Sequence, residues 1–139
     1  MKHKVLVYVL RPTAAGAWEF LAFRHRDYPE AGVQVPAGTV EPGEDREAAA
    51  YRELAEESGL TAEQVRLVRK LAEADEPEWD QRRHAYLFEP RGPLPERWAH
   101  TVAGVGEDQG LVFEYDWRPV AAAGELAGGQ GRFMHLTGA

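Results

Sequence analysis

With 139 residues, the chain has the length of one domain, spanning 1–139, and leaves little room for a second. An apolar fraction of 44% supports one buried core, and the absence of cysteine excludes disulfides, thiolate nucleophiles and Cys-based zinc sites. A formal net charge of −7, with Lys and Arg scattered among more numerous acids, argues against a nucleic-acid polymer as partner; a small phosphate ligand stays open if a divalent cation brings positive charge.

Met1-Lys2-His3-Lys4 followed by Val5 to Leu10 looks outwardly like a secretory leader. The apolar run is short, holds Tyr8 and meets Arg11-Pro12, so it reads as a first β-strand. No stretch approaches the roughly 18 apolar residues of a membrane span, and a cytoplasmic protein without a membrane partner is expected. Thr13 to Gly16 is a turn, and Trp18 to His25 a second strand forming a hairpin with the first. Asp27 to Gly32 is a loop. Val33 to Pro36 is short and extended, because the residue before proline avoids the helical region. Ala37 to Glu44 is a loop punctuated by glycine and proline.

The strongest helix follows: Asp45 as N-cap, Arg46 to Ser58 rich in helix formers, and Gly59 as the C-terminal cap. Val65 to Leu71, Ala85 to Phe88 and Leu111 to Trp117 read as strands, Gly92 to Glu96 as a loop, and Val120 to Ala127 as a short helix weakened by Gly124. The partly apolar tail is expected to dock. Order and spacing indicate a mixed α+β fold, not a regular βαβ alternation.

Plotted at 100° per residue with Glu53 at zero, Glu57 lies at about 40°, Glu56 at about −60° and Arg52 at about −100°. Ala48, Ala50, Tyr51, Leu54, Ala55 and Ser58 fill the opposite arc, which can pack on a sheet. Glu53 and Glu57 are a like-charge i, i+4 pair, which costs an isolated helix about 0.2–0.5 kcal/mol, and the Arg52–Glu56 pair relieves part of it. Carboxylates crowded in this way suit a hard cation such as Mg²⁺, although a run of this kind is most often a solvated acidic face.

The context of the run decides between these readings. Gly38 to Leu60 reads GTVEPGEDREAAAYRELAEESGL, and Gly38, Glu44, Arg52, Glu53, Leu54, Glu56, Glu57, Gly59 and Leu60 occupy every fixed position of the Nudix box. A chance match arises on the order of once in ten million starts. The chain therefore resembles the Nudix hydrolases (MutT-like). The resemblance implies a mixed β-sheet sandwiched between α-helices. It also implies hydrolysis of a pyrophosphate bond, in a nucleoside triphosphate or related nucleotide-like small molecule, with Mg²⁺ as cofactor and Mn²⁺ as a substitute.

By the same resemblance Glu53, Glu56, Glu57 and the Gly38 carbonyl are metal ligands. Arg52 orients the carboxylates, with Glu56 as its nearest partner on helix geometry. Glu44 orients near the helix start, or is merely an acid favoured by the helix dipole. Glu53 is the first candidate for the base, and Glu107, then Asp108, the candidates if a later loop supplies it; an acidic surface turn is the plain alternative for both. Trp79 and Trp98 are candidates for stacking on a base, whereas Trp18 and Trp117 lie in strands and are expected in the core. Arg24, Arg26, Arg82 and Arg83 could meet phosphates, and Pro77 is a faint mark of certain subfamilies. The alternative function is a non-catalytic nucleotide-binding or sensor module. An isomerase of isopentenyl diphosphate is excluded, because that chemistry needs a cysteine and there is none. Monomer and homodimer both remain open.

Overall fold

Val5, Val7 and Val9 alternate with Leu6, Tyr8 and Leu10, so the first strand is apolar on both faces and belongs in a sheet covered on both sides. The computed structural model, which describes residues 1–139, places it there. The elements are β1 (Lys2–Pro12), β2 (Trp18–His25), β3 (Ala37–Thr39), α1 (Arg46–Ser58), β4 (Val65–Glu76), β5 (Gln81–Pro90), β6 (Trp98–Thr101) and β7 (Val112–Pro119). Spatial order in the sheet is β4-β5-β1-β2-β7-β6. β1 runs parallel to β5, and every other pairing is antiparallel.

On its other side β1 forks. Leu10–Pro12 pair with β2, as the hairpin reading expects, while Lys4–Leu6 pair with β3. The extended Val33–Pro36 segment wedges the fork open: Gln34 bridges to Phe23, and the Val7 amide donates to the Pro36 carbonyl at 2.9 Å. The fork brings Gly38 to the edge of the sheet, beside α1.

Helix α1 packs Ala49, Ala50 and Leu54 onto Val5, Val7, Val9, Tyr86 and Phe88. The opposite face, with Leu6, Tyr8, Leu10 and Ala85, is covered by Leu126, Phe133 and Met134 of the docked tail. Each large apolar side chain so buried contributes about 1.5–3 kcal/mol. The α+β class and the layered sheet agree with expectation. The second layer differs in kind: it is built of 3-10 turns at Val120–Glu125, Ala127–Gly129 and Met134–Thr137, not an α-helix over Val120 to Ala127. Glycines explain this. Gly128 and Gly129 have positive φ, and a Cβ on Gly131 would lie 2.0 Å from the Ala123 carbonyl oxygen. No helix is long and apolar enough to cross a membrane.

The ends of α1 are secured differently. Asp45 accepts from the Ala48 amide at 3.0 Å, and Gly59 at φ 81° turns the chain out. The last carbonyls, which no helix can satisfy internally, are met from β6, β7 and the loop between them. Glu56 O accepts from His100 Nε2 at 3.0 Å and the Ala103 amide at 2.9 Å. Ser58 O accepts from Trp98 Nε1 at 2.9 Å, and Glu57 O from the Tyr115 hydroxyl at 2.8 Å. Tyr115→Phe removes the last of these inside the core, and a loss of about 1–3 kcal/mol in urea or thermal unfolding is expected. An unchanged midpoint would show that this carbonyl needs no partner.

Candidate active site

Acids in the last turn of a helix face its negative end, which disfavours them by about 0.3–1 kcal/mol each, and α1 has Glu56 and Glu57 there with no basic residue. Glu53 and Glu57 are also buried, 9% and 6% exposed. Burial pushes the Glu57 carboxyl well above the usual carboxylate range, and the charges of Glu53 and Asp108 push the same way against the Ala37 amide, which donates to Oε1 at 3.2 Å. Glu53 is raised too, first by burial, with Arg52 pulling it back.

Arg52 ties the cluster together. Its Nε and Nη2 grip the two Glu44 oxygens at 2.7 and 2.9 Å, Nη1 donates to Glu53 at 2.8 Å and to Glu56 at 3.2 Å, and Nη2 also reaches the Thr39 carbonyl at 3.0 Å. Glu44, held by this fork, is pulled below its ordinary pKa, and Arg52 is raised. The expectation that Glu56 is the nearest partner of Arg52 is corrected here: Glu44 takes the two-pronged contact and Glu56 the longest one. A helix wheel sees only residues on the helix, whereas Glu44 arrives from the loop before it.

Gly38 lies against the Glu53 carboxylate so closely that a Cβ would stand 2.1 Å from Cδ. Gly104, from the β6–β7 loop, lies similarly over Glu56, with 2.7 Å to its Cδ. Gly38, Arg52, Glu53, Glu56 and Glu57 line a cleft of about 680 Å³, together with Glu107 and Asp108 from the β6–β7 loop. Of these two, Asp108 is the one whose charge bears on Glu57. A hollow of about 960 Å³ beside the start of α1 includes Glu44 but none of Glu53, Glu56 and Glu57.

As the side chains stand, no three acidic or histidine groups converge on one point, because Arg52 holds Glu53 and Glu56 while Glu57 takes the Ala37 amide. The donor set nevertheless fits a hard cation: oxygen ligands only, two of them desolvated and mutually repelling, and a glycine where a side chain would fill the space.

Among the other candidates, Trp79 is 50% exposed and lines the cleft with Arg83. Trp98 does not offer a free face, being stacked on Tyr115 at 5.1 Å and bonded to α1. Trp18 is 42% exposed, contrary to the core expectation, because its strand begins at the rim of the sheet. Trp117 is half-buried beneath the Arg11 guanidinium, 4.0 Å from its ring. Arg26 pairs with Asp27 and Arg82 with Asp75, outside the cleft, and Arg24 faces a different hollow. Lys2, Lys4 and Gln81 line the cleft and carried no signal in the sequence, since their proximity depends on β1–β5 pairing.

A NUDIX domain model matches residues 2–136 of the chain. The chain belongs to the Nudix family. Over 43 residues, 31% of this Nudix chain, it is 54% identical to an RNA pyrophosphohydrolase of Caulobacter vibrioides, and the match spans only 25% of that protein's length. Among solved structures, a C. elegans Ap4A hydrolase binary complex superposes with a TM-score of 0.69 at 23% identity, covering 99% of this chain and 96% of that one. A mutT/nudix family protein from Listeria innocua superposes at 0.62 and 18% identity, covering 98% and 90%. At these identities the likeness is one of fold.

Proposed function

We propose that this Nudix protein hydrolyses a pyrophosphate bond in a nucleotide-like small molecule, with a divalent cation, Mg²⁺ or in its place Mn²⁺, held by Glu53, Glu56, Glu57 and the Gly38 carbonyl. The observation that carries the reading is the desolvated Glu53–Glu57 pair beside Gly38, a destabilising arrangement in a folded protein unless something positive binds there. When bound, the cation supplies charge neutralisation for the phosphate oxygens and acidifies the attacking water. Arg52, anchored on Glu44, sets the rotamers of Glu53 and Glu56. A carboxylate at the cleft takes the proton of the water: Glu53 stands first for this, and Asp108 or Glu107 of the β6–β7 loop are the alternatives.

The carboxylate pair makes a pH-dependent prediction. A carboxyl raised above its unfolded value holds its proton longer in the folded state, so the cation-free protein loses this stability as pH rises from the ordinary carboxylate range through the raised values of Glu53 and Glu57. A cation replaces those protons. Millimolar Mg²⁺ is therefore expected to raise Tm more at pH 8 than at pH 5. No gain at pH 8 would contradict the ligand assignment.

The reaction itself is tested by product release, with Mg²⁺, from nucleoside triphosphates, dinucleoside polyphosphates, ADP-ribose, nucleotide sugars and a triphosphate-ended RNA. Turnover of one class names the substrate, and the net charge of −7 places the RNA last. Silence across all of them, in protein that binds nucleotide, would instead favour a binding module.

A further inference from the structure

The part of the cleft lining formed by β1, β5 and the turn before β5 has no role in the reading above. Parallel register sets Lys2 beside Gln81 and Lys4 beside Arg83, so the pleat turns all four to one face while His3 and His84, stacked at 5.2 Å, turn to the other. All four line the cleft. In a chain of net charge −7 this is a local concentration of cations, and neither Lys2 nor Lys4 pairs with a carboxylate.

Arg83 is unusual among the arginines. Its side chain is only 11% exposed. Its Nε lies 3.1 Å from Glu76 Oε1 but makes no hydrogen bond, and its one hydrogen bond, from Nη1 to Gly128 O, is long at 3.4 Å. Glu76 is already taken, by Gln81 Nε2 at 2.6 Å and Arg132 Nη1 at 2.9 Å. A desolvated guanidinium with most of its five donors unused is suited to a phosphate that enters the cleft. Beside it, 5.9 Å from ring centroid to Cζ, stands Trp79, half exposed on the 3-10 turn Pro77–Trp79 that Asp80 closes at φ 48°. A large aromatic kept in solvent next to under-paired cations offers the two halves of nucleotide recognition: a face for a base and charge for its phosphates.

We propose that this wall holds the nucleotide, with the base stacked on Trp79 and the phosphate chain crossing Arg83, Lys2 and Lys4 toward Glu53 and Glu57. The inference rests on the proposed reaction for the direction of the chain, and its test needs no turnover.

The test is equilibrium binding, in Mg²⁺, of α,β-methylene-ADP and of methylenediphosphonate, its counterpart without a nucleoside. The wild-type chain is expected to bind the nucleotide about 10-fold tighter than the diphosphonate, the scale of one base–aromatic stack. Trp79→Ala should erase that preference and leave diphosphonate binding unchanged, and Trp79→Phe should restore most of it. Arg83→Met should weaken both ligands about 10-fold, and the Lys2→Met/Lys4→Met pair, on one exposed and one half-buried position, serves if Arg83→Met fails to fold. Trp79→Ala with the preference intact, lysine variants that bind both ligands normally, or a wild type that binds neither would overturn the wall. None of these results depends on hydrolysis, so a failed wall leaves the reaction standing, and a failed reaction leaves the wall measurable.

Discussion

Glu57→Gln is expected to lower turnover by at least about 100-fold, the scale of losing a positioned catalytic group, without unfolding the protein. The carboxyl is 6% exposed, pushed up by burial and by its acidic neighbours. An amide of the same shape keeps an oxygen for the Ala37 amide, which now donates to Oε1 at 3.2 Å, and removes the charge that the fold pays to bury. The cation-free variant should therefore melt at the same temperature as the wild type or higher, and should lose the gain that Mg²⁺ confers. Activity and stability then move in opposite directions, which a residue serving only the fold cannot do. Near-normal turnover in a pure preparation would remove Glu57 from the ligand set.

Gly38→Ala is expected to cost a comparable factor through one added methyl. The new Cβ would stand 2.1 Å from Glu53 Cδ, so the carboxylate must swing away. Gly38 has an ordinary φ, and the clashing atoms are the far end of a flexible side chain, so the backbone accepts alanine and the stability loss should stay within about 1 kcal/mol. Activity, by contrast, should fall about 100-fold, because a displaced ligand serves no better than a missing one. Circular dichroism melts beside steady-state turnover check both halves. A variant with full activity would mean that the position of Glu53 is not critical.

What the sequence made legible follows from how local each signal was. The box is a fixed spacing along the chain, and α1 begins at Arg46 and ends at Ser58 as its caps indicate. β2 has the bounds read from its composition. The strands β3 and β6, three and four residues long, exist because of register with β1 and β7, and no composition marks them. β4 and β5 extend to Glu76 and back to Gln81 through polar and charged residues, because buried Glu76 is met by Gln81 and Arg132 while Arg82 pairs with Asp75 near the surface. In the site, the acids were visible and their partners were not. Glu44 reaches Arg52 from a loop, and Lys4 and Arg83 become neighbours only through a parallel pairing across most of the chain.

These carboxylates, with a divalent cation, are expected to run a hydrolysis. The most direct measurement is product release from the preferred nucleotide in ¹⁸O-labelled water, with Mg²⁺ and again after chelation. Two phosphate-bearing products with the label in one of them are expected, and no release once the metal is removed. Undiminished release after chelation, or products without label, would contradict that expectation.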